Sequence, residues 1–157
     1  MGRKVMTIEP ATRNDAAEIL ALQRLAYVSE AEIYNDFGIQ PLTQTLEDLE
    51  REFGTHSVFK AVRDGRIIGS VRTVLDGGTC HVGKLIVHPE AQGLGIGSAL
   101  MGHLEAFYRE VARFELFTGH RSQRNLYLYA KLGYREFKRV QVSEHLWLVY
   151  MEKRNFV

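Results

Sequence analysis

Cysteine is almost missing: Cys80 is the only one in 157 residues, which excludes an intrachain disulfide and suits a reducing, cytoplasmic setting. Neither sign of charge is in excess, because 20 Lys and Arg stand against 19 Asp and Glu. The resulting formal charge of +1 and pI near 7.9 give no electrostatic case for nucleic acid or an anionic membrane. No window approaches the roughly eighteen uncharged apolar residues of a membrane span. Arg3, Lys4, Glu9, Arg13 and Asp15 interrupt the apolar core that a signal peptide needs. Met6 occupies the position where N-myristoylation requires Ser or Thr. The six histidines show no metal-binding spacing such as His-Glu-x-x-His, so no metal is expected. A Gly-x-Ser-x-Gly elbow is missing as well, and Cys80 has no flanking partner to activate it, so nothing marks a covalent nucleophile.

What remains is an ordinary globular composition, 45% hydrophobic and 25% charged, in a length that suits one domain over residues 1–157. No repeat, low-complexity run or linker divides it. "KVMTIE" reads as a short strand before Pro10. A helical stretch follows from about Asn14 to Tyr34, with Ile19, Leu22, Ala26 and Ile33 on one stripe. Phe37, Gly38 and Pro41 then break the pattern. Leu42, Leu46, Leu49 and Phe53 recur as one amphipathic helix, with Thr43 as its cap. After Gly54 three strand-like runs are separated by Asp64-Gly65 and Asp76-Gly77-Gly78, which predicts an antiparallel meander. From Ile96 the period is helical again through Leu100, Leu104, Phe107 and Val111. "RFELFTG" reads as a strand. "SQRNLYLYAKLG" reads as a short helix capped by Ser122 and ended by Gly133. "HLWLVYMEK" alternates as a final strand, with room for one more before it. The order predicts a mixed, mostly antiparallel α/β sheet with one parallel pair flanking the helix from Ile96.

Residues 84–99, "KLIVHPEAQGLGIGSA", raise the main question: Gly93, Gly95 and Gly97 stand just ahead of a helix, where each glycine costs about 1 kcal/mol against alanine. A strand entering a helix N-terminus through such a turn forms an anion site, because the first helical amides have no internal partner. Glycine lets a diphosphate approach closely. A tight turn can also need glycine for its backbone alone. A Walker loop is excluded, since Gly97 is followed by Ser98 and Ala99. A dinucleotide fingerprint is opposed by Ser98 in place of its third glycine and by the two hairpins upstream.

The spacing Gln92-x-x-Gly95-x-Gly97 resembles motif A of the GNAT superfamily of N-acetyltransferases. About thirty residues on, Asn125 and Tyr129, followed by Leu132-Gly133-Tyr134, are similar to that family's Asn-x-x-x-Tyr-x-x-x-Gly-Phe/Tyr motif. The resemblance extends to the order of elements along the whole chain. It implies a GNAT-like sheet with a splayed parallel pair, about four flanking helices, and acetyl-CoA as co-substrate. It also implies direct transfer of acetyl to a primary amine, and a homodimer as a common assembly.

In this resemblance the amides of Gln92, Gly93, Leu94, Gly95, Ile96, Gly97 and Ser98 hold the pyrophosphate. Leu85, Ile86 and Val87 pair with pantetheine, and a main-chain N–H near Val87 polarises the thioester carbonyl. Asn125 and Tyr129 share one helix face. Tyr129 is assigned as proton donor to the departing thiolate, a transfer uphill by about 2 kcal/mol from reference pKa values near 10 and 8.5. A lysine-like amine must lose a proton, and His81, eleven residues before Gln92, is the candidate base. His81 is read as sharing strand parity with Leu85 and Val87; Glu30 and Glu32 rank below it. Lys131, Arg124 and Arg121 lie toward the cofactor mouth, and His88 beside Pro89 reads as structural. Tyr27, Glu30, Glu32, Tyr34, Asp36 and Phe37 mix carboxylates with aromatics where the family walls its acceptor, a small-molecule or peptide amine. The alternative is a module of the same fold that binds acyl-CoA as a sensor without turnover.

Overall fold

The computed structural model describes residues 5–155, so Arg3 and Lys4 of the N-terminal reading lie outside the described residues. Strand β1 (Met6–Pro10) leads through a short turn into α1 (Ala16–Tyr34), which ends where Asn35 turns left-handed at φ 50°. Two short helices follow, α2 (Gln40–Thr43) and α3 (Leu46–Glu52), then the meander β2 (Ser57–Arg63), β3 (Arg66–Asp76) and β4 (Thr79–Val87). Helix α4 (Ile96–Phe107), strand β5 (Arg113–Gly119), helix α5 (Gln123–Lys131) and the hairpin β6 (Arg135–Ser143) with β7 (Leu146–Arg154) complete the chain.

The seven strands run in the order β1-β2-β3-β4-β5-β7-β6, antiparallel except for the β4–β5 pair. Both turns of the β2–β3–β4 meander fall at the Asp-Gly sites, with Asp64 and Gly65 at φ 53° and 74° and Gly77 at φ 61°. These left-handed angles match the twist of the strands they join. Alternation along the strands feeds two cores. Phe59, Val71, Val82 and Phe114 pack under Leu100 and Leu104 of α4 on one face. On the other face Val58, Ile67 and Ile86 meet Ile19 and Leu22 of α1 and Leu49 of α3. Among the described residues no helix is long and apolar enough to cross a membrane.

The expected single helix over Leu42–Phe53 is divided, giving five helices where about four were expected. Pro41 does not break the pattern but sits in the first turn of α2, where its missing N–H has no cost. Gln44 then leaves helical geometry at ψ 135°, and its buried side chain turns inward to accept from Gln23 Nε2 at 2.9 Å. The cap of α3 is consequently Thr45, not Thr43: its Oγ1 accepts the Asp48 N–H at 3.2 Å. The optional strand before the last is real. Every residue of β6 is exposed, so no buried face stamps its alternation on the sequence.

Candidate active site

Motif A forms the turn between β4 and α4. His88 caps the short Pro89–Ala91 turn, its Nδ1 accepting the Glu90 N–H at 3.1 Å, and so has the structural role expected of it. Gly93 and Gly95 take φ of 80° and 79°, which a side chain would strain, while a Cβ on either would meet open space. Ala91 N–H donates to the His88 carbonyl at 2.8 Å, and the next amide with a backbone acceptor is Ala99, bonded to Gly95 at 3.0 Å. Between them the amides from Gln92 to Ser98 have no acceptor among the described residues, and they open on a cleft. The left-handed angles account for Gly93 and Gly95 through the backbone, and the open amides leave the turn able to accept an anion. Leu94, 62% exposed, is not part of the cleft lining.

The cleft, about 670 Å³, is walled by the end of β4 and by α1, α4 and α5, where β4 and β5 have already parted. They pair only over Thr79–His81 with Arg113–Glu115. Beyond that point β4 carries a bulge: Gly83 opposes Arg72 and Ile86 opposes Ser70, so Lys84 and Leu85 together face Val71. Lys84 turns the corner at φ 49°, an uncommon angle for a residue with a side chain. This bulge overturns the expected parity of His81. His81 shares its face with Ile86, toward α1, whereas Leu85 and Val87 pack toward α4. Leu85, Ile86, Val87, Gln92, Gly97, Ser98, Asn125, Arg124 and Lys131 line the cleft, and Arg121 does not.

A second cavity of about 460 Å³ adjoins the first and shares Tyr27, Glu30, Leu85 and Asn125 with it. Tyr129, Tyr34 and His81 line it, while Glu32 is exposed and outside it. Asn125 Nδ2 donates to Thr118 Oγ1 at 3.3 Å, tying α5 to the parted strand β5. The Tyr129 hydroxyl has no hydrogen-bond partner among the described residues. Burial first, then Tyr27 and Glu30, hold its pKa well above the ordinary tyrosine value. Burial likewise pushes Tyr27 up to about 12, against the Arg72 charge, which lowers it, and together with Glu30, which raises it. Cys80 is fully buried and its thiol is pushed up to about 12, which leaves it inert. His81 Nδ1 stands 3.6 Å from Glu115 Oε2, and Glu115 also pairs with Arg113 at 2.8 Å.

Several residues on these walls escaped the sequence reading. Ser122 occupies the N-cap position of α5 as expected, but its side chain makes no capping hydrogen bond; its Oγ lies 2.8 Å from the Tyr34 hydroxyl and 2.5 Å from Glu30 Oε2. The same hydroxyl accepts the Arg121 N–H at 2.9 Å and presses on Gly119, where any Cβ would collide with it. Arg72, almost fully buried, reaches Glu52 at 3.3 Å and donates to Gln23 and Gln44. Glu52, Arg72 and Lys84 all line the second cavity. Arginine in an apolar strand between Val71 and Thr73 was the available signal for this cluster, and Gly119 offered none.

This geometry has relatives. A family model described as an acetyltransferase (GNAT) domain matches residues 27–155, and the chain belongs to that family. The "UPF0157 protein YqkA" of Bacillus subtilis (strain 168) is 28% identical over 134 residues, which cover 85% of this chain and 38% of that protein. The "Uncharacterized N-acetyltransferase MJ1530" of Methanocaldococcus jannaschii is 35% identical over 78 residues, covering 48% of this chain and 50% of its own. The chain thus spans half or less of the curated relatives it matches. A PaiA N-acetyltransferase of Thermoplasma acidophilum, solved in complex with coenzyme A, superposes with a TM-score of 0.80 at 15% identity over 96% of this chain and 99% of that one. At that identity the likeness speaks to fold.

Proposed function

We propose that this chain uses acetyl-CoA to acetylate a primary amine by direct attack. One observation carries the reading: the row of unpartnered amides from Gln92 to Ser98 opens on a cleft that continues into a second cavity, whose largely apolar wall is set with Glu30, Arg72, Lys84 and His81. The first suits a diphosphate with a long tail, and the second gives an acceptor its own chamber. That separate chamber favours turnover over the sensor alternative. The fit with coenzyme A rests on the open space where a Cβ of Gly93 or Gly95 would sit.

Bound there, acetyl-CoA supplies a thioester: the amine nitrogen bonds to its carbonyl carbon, the C–S bond breaks, and the electron pair leaves on sulfur. A main-chain N–H near Val87 meets the carbonyl oxygen as it gains charge. His81, on the wall of the acceptor chamber, takes the nitrogen's proton directly or through water. Tyr129 offers its unengaged hydroxyl to the sulfur. Its raised pKa makes full proton transfer costlier than the roughly 2 kcal/mol of reference groups, so its contribution is a hydrogen bond to the thiolate. Lys131 and Arg124 at the cleft edge face the nucleotide phosphates.

Thermal shift with acetyl-CoA, CoA, NAD and ATP tests the foundation. Coenzyme A compounds at about 100 times Kd should stabilise by roughly 2.7 kcal/mol, and NAD and ATP should not. Ser98→Trp, which fills the half-buried wall without a left-handed backbone, should fold and lose the shift. No shift with saturating acetyl-CoA would reduce the glycine stretch to a turn.

A further inference from the structure

Lys84 combines two unfavourable features at one residue. Its backbone is left-handed at φ 49°, and its half-buried ammonium has no carboxylate within ion-pairing distance among the described residues. Burial first, then the Arg72 charge, pulls its pKa down to about 8, with Glu52 opposing. Strain and desolvation together at a cavity wall are a pattern of functional sites. Next to it, Arg72 has a side chain only 3% exposed and a buried Nε with no partner. Glu52 is committed to Arg72. The wall near α3 therefore carries one cation more than its carboxylate offsets.

The other sign is carried elsewhere on the lining. Glu30, held by Ser122, lies where the two cavities join, beside Tyr27 and Tyr129. Tyr27 stands within electrostatic reach of both Arg72 and Glu30, whereas Lys84 feels Arg72 and Glu52. The chamber thus carries both signs, with Glu30 where it joins the cofactor cleft and the surplus cation, beside Arg72 and Glu52, on a wall of the second cavity alone.

We propose that the acceptor is an amine that also bears a carboxylate, with its nitrogen toward Glu30 and Tyr129 and its carboxylate on Lys84. The inference rests on the acetyltransferase reading above and names the substrate class of that site. Lys84 acts in binding and positioning: a charge-assisted hydrogen bond to the carboxylate fixes which end of the molecule meets the thioester. A peptide N-terminus or a plain diamine offers no carboxylate at that distance.

The test uses matched pairs on the full chain: free amino acids against their primary amides, and ω-amino acids against diamines of equal length. Thiol release from acetyl-CoA reads turnover, and Tm of the CoA-saturated protein reads binding. The carboxylate-bearing member should win by about tenfold or more in kcat/KM, chiefly through KM. Lys84→Met should collapse that ratio toward one, and Lys84→Arg should restore most of it; neither should alter the Tm shift given by CoA alone, because Lys84 lies outside the cofactor cleft. Equal response to acid and amide, or a ratio that survives Lys84→Met, overturns this inference and leaves acetyl transfer standing. A CoA shift with neither turnover nor binding of any amine overturns both.

Discussion

Tyr129 shows how environment sets what a side chain can do. A tyrosine pushed above its usual pKa by burial is a poor acid yet still a full hydrogen-bond donor. Tyr129→Phe keeps the ring packed against Tyr134, 5.9 Å between centroids, and removes only the hydroxyl. We expect kcat to fall about 10²-fold, the low end of the range for acid–base groups, with the Kd for acetyl-CoA unchanged. A kcat within threefold of wild type would remove the hydroxyl from the mechanism. Lys84 gives a prediction of opposite sign. Its folded pKa near 8 lies below the lysine reference of 10.5, so the unfolded chain binds more protons between those values. Stability should therefore climb as pH rises from about 8 to 10.5, and Lys84→Met should be more stable than wild type at pH 7 by roughly 1–3 kcal/mol, with the gain gone by pH 11. Urea titrations at the two pH values check this. With a carboxylate-bearing amine, KM should rise above pH 8 as the ammonium discharges. Arg72, Glu52, His56, His81, Tyr27, Glu30, Tyr34 and Tyr129 line the same cavity as Lys84, and the amide partner in each pair controls for them.

At the scale of elements, the division of α2 from α3 can be read out by two substitutions. Thr45→Ala removes a real cap and should cost about 1 kcal/mol. Thr43→Ala should cost little, since its hydroxyl makes only long contacts to Ile39 and Gln40 at 3.5 and 3.4 Å. Chemical denaturation of the pair distinguishes them; equal losses would restore a single helix capped at Thr43. The heptad-like spacing of Leu42, Leu46, Leu49 and Phe53 hid the break because the residue responsible is polar: Gln44 leaves the helix to complete a buried network no periodicity reveals. Strands with one buried face and Asp-Gly turns were legible, as were α1, α4 and the glycine turn. The bulge at Lys84 was not, because one extra residue leaves the composition of "CHVGKLIVH" unaltered while reversing which side chains share a face. Much of the first cleft's lining lies in two contiguous stretches, residues 85–98 and 122–131, which the sequence motifs mark. The acceptor side draws Tyr27, Glu52, Arg72, Lys84 and Phe117 from five elements, and only the fold brings them together.

For the whole molecule, the parted strands set the response to ligand. If pantetheine lies along β4, amides in residues 82–87 and in the turn from Gln92 to Ser98 should exchange more slowly with acetyl-CoA bound, while β1 and β2 should change little. Hydrogen exchange with mass readout measures this, and uniform slowing across the sheet would oppose it. The short β4–β5 ladder also has a mechanical meaning. Backbone hydrogen bonds between β4 and β5 tie the two halves of the sheet at one end, from the Gly78 turn through His81, and beyond it the seam is bridged by packed side chains. Drawn apart by a load across that seam, the molecule would tear there first, as a four-stranded and a three-stranded piece. A bound tail lying in the gap would act as a stitch, so the force at rupture would become a gauge of occupancy.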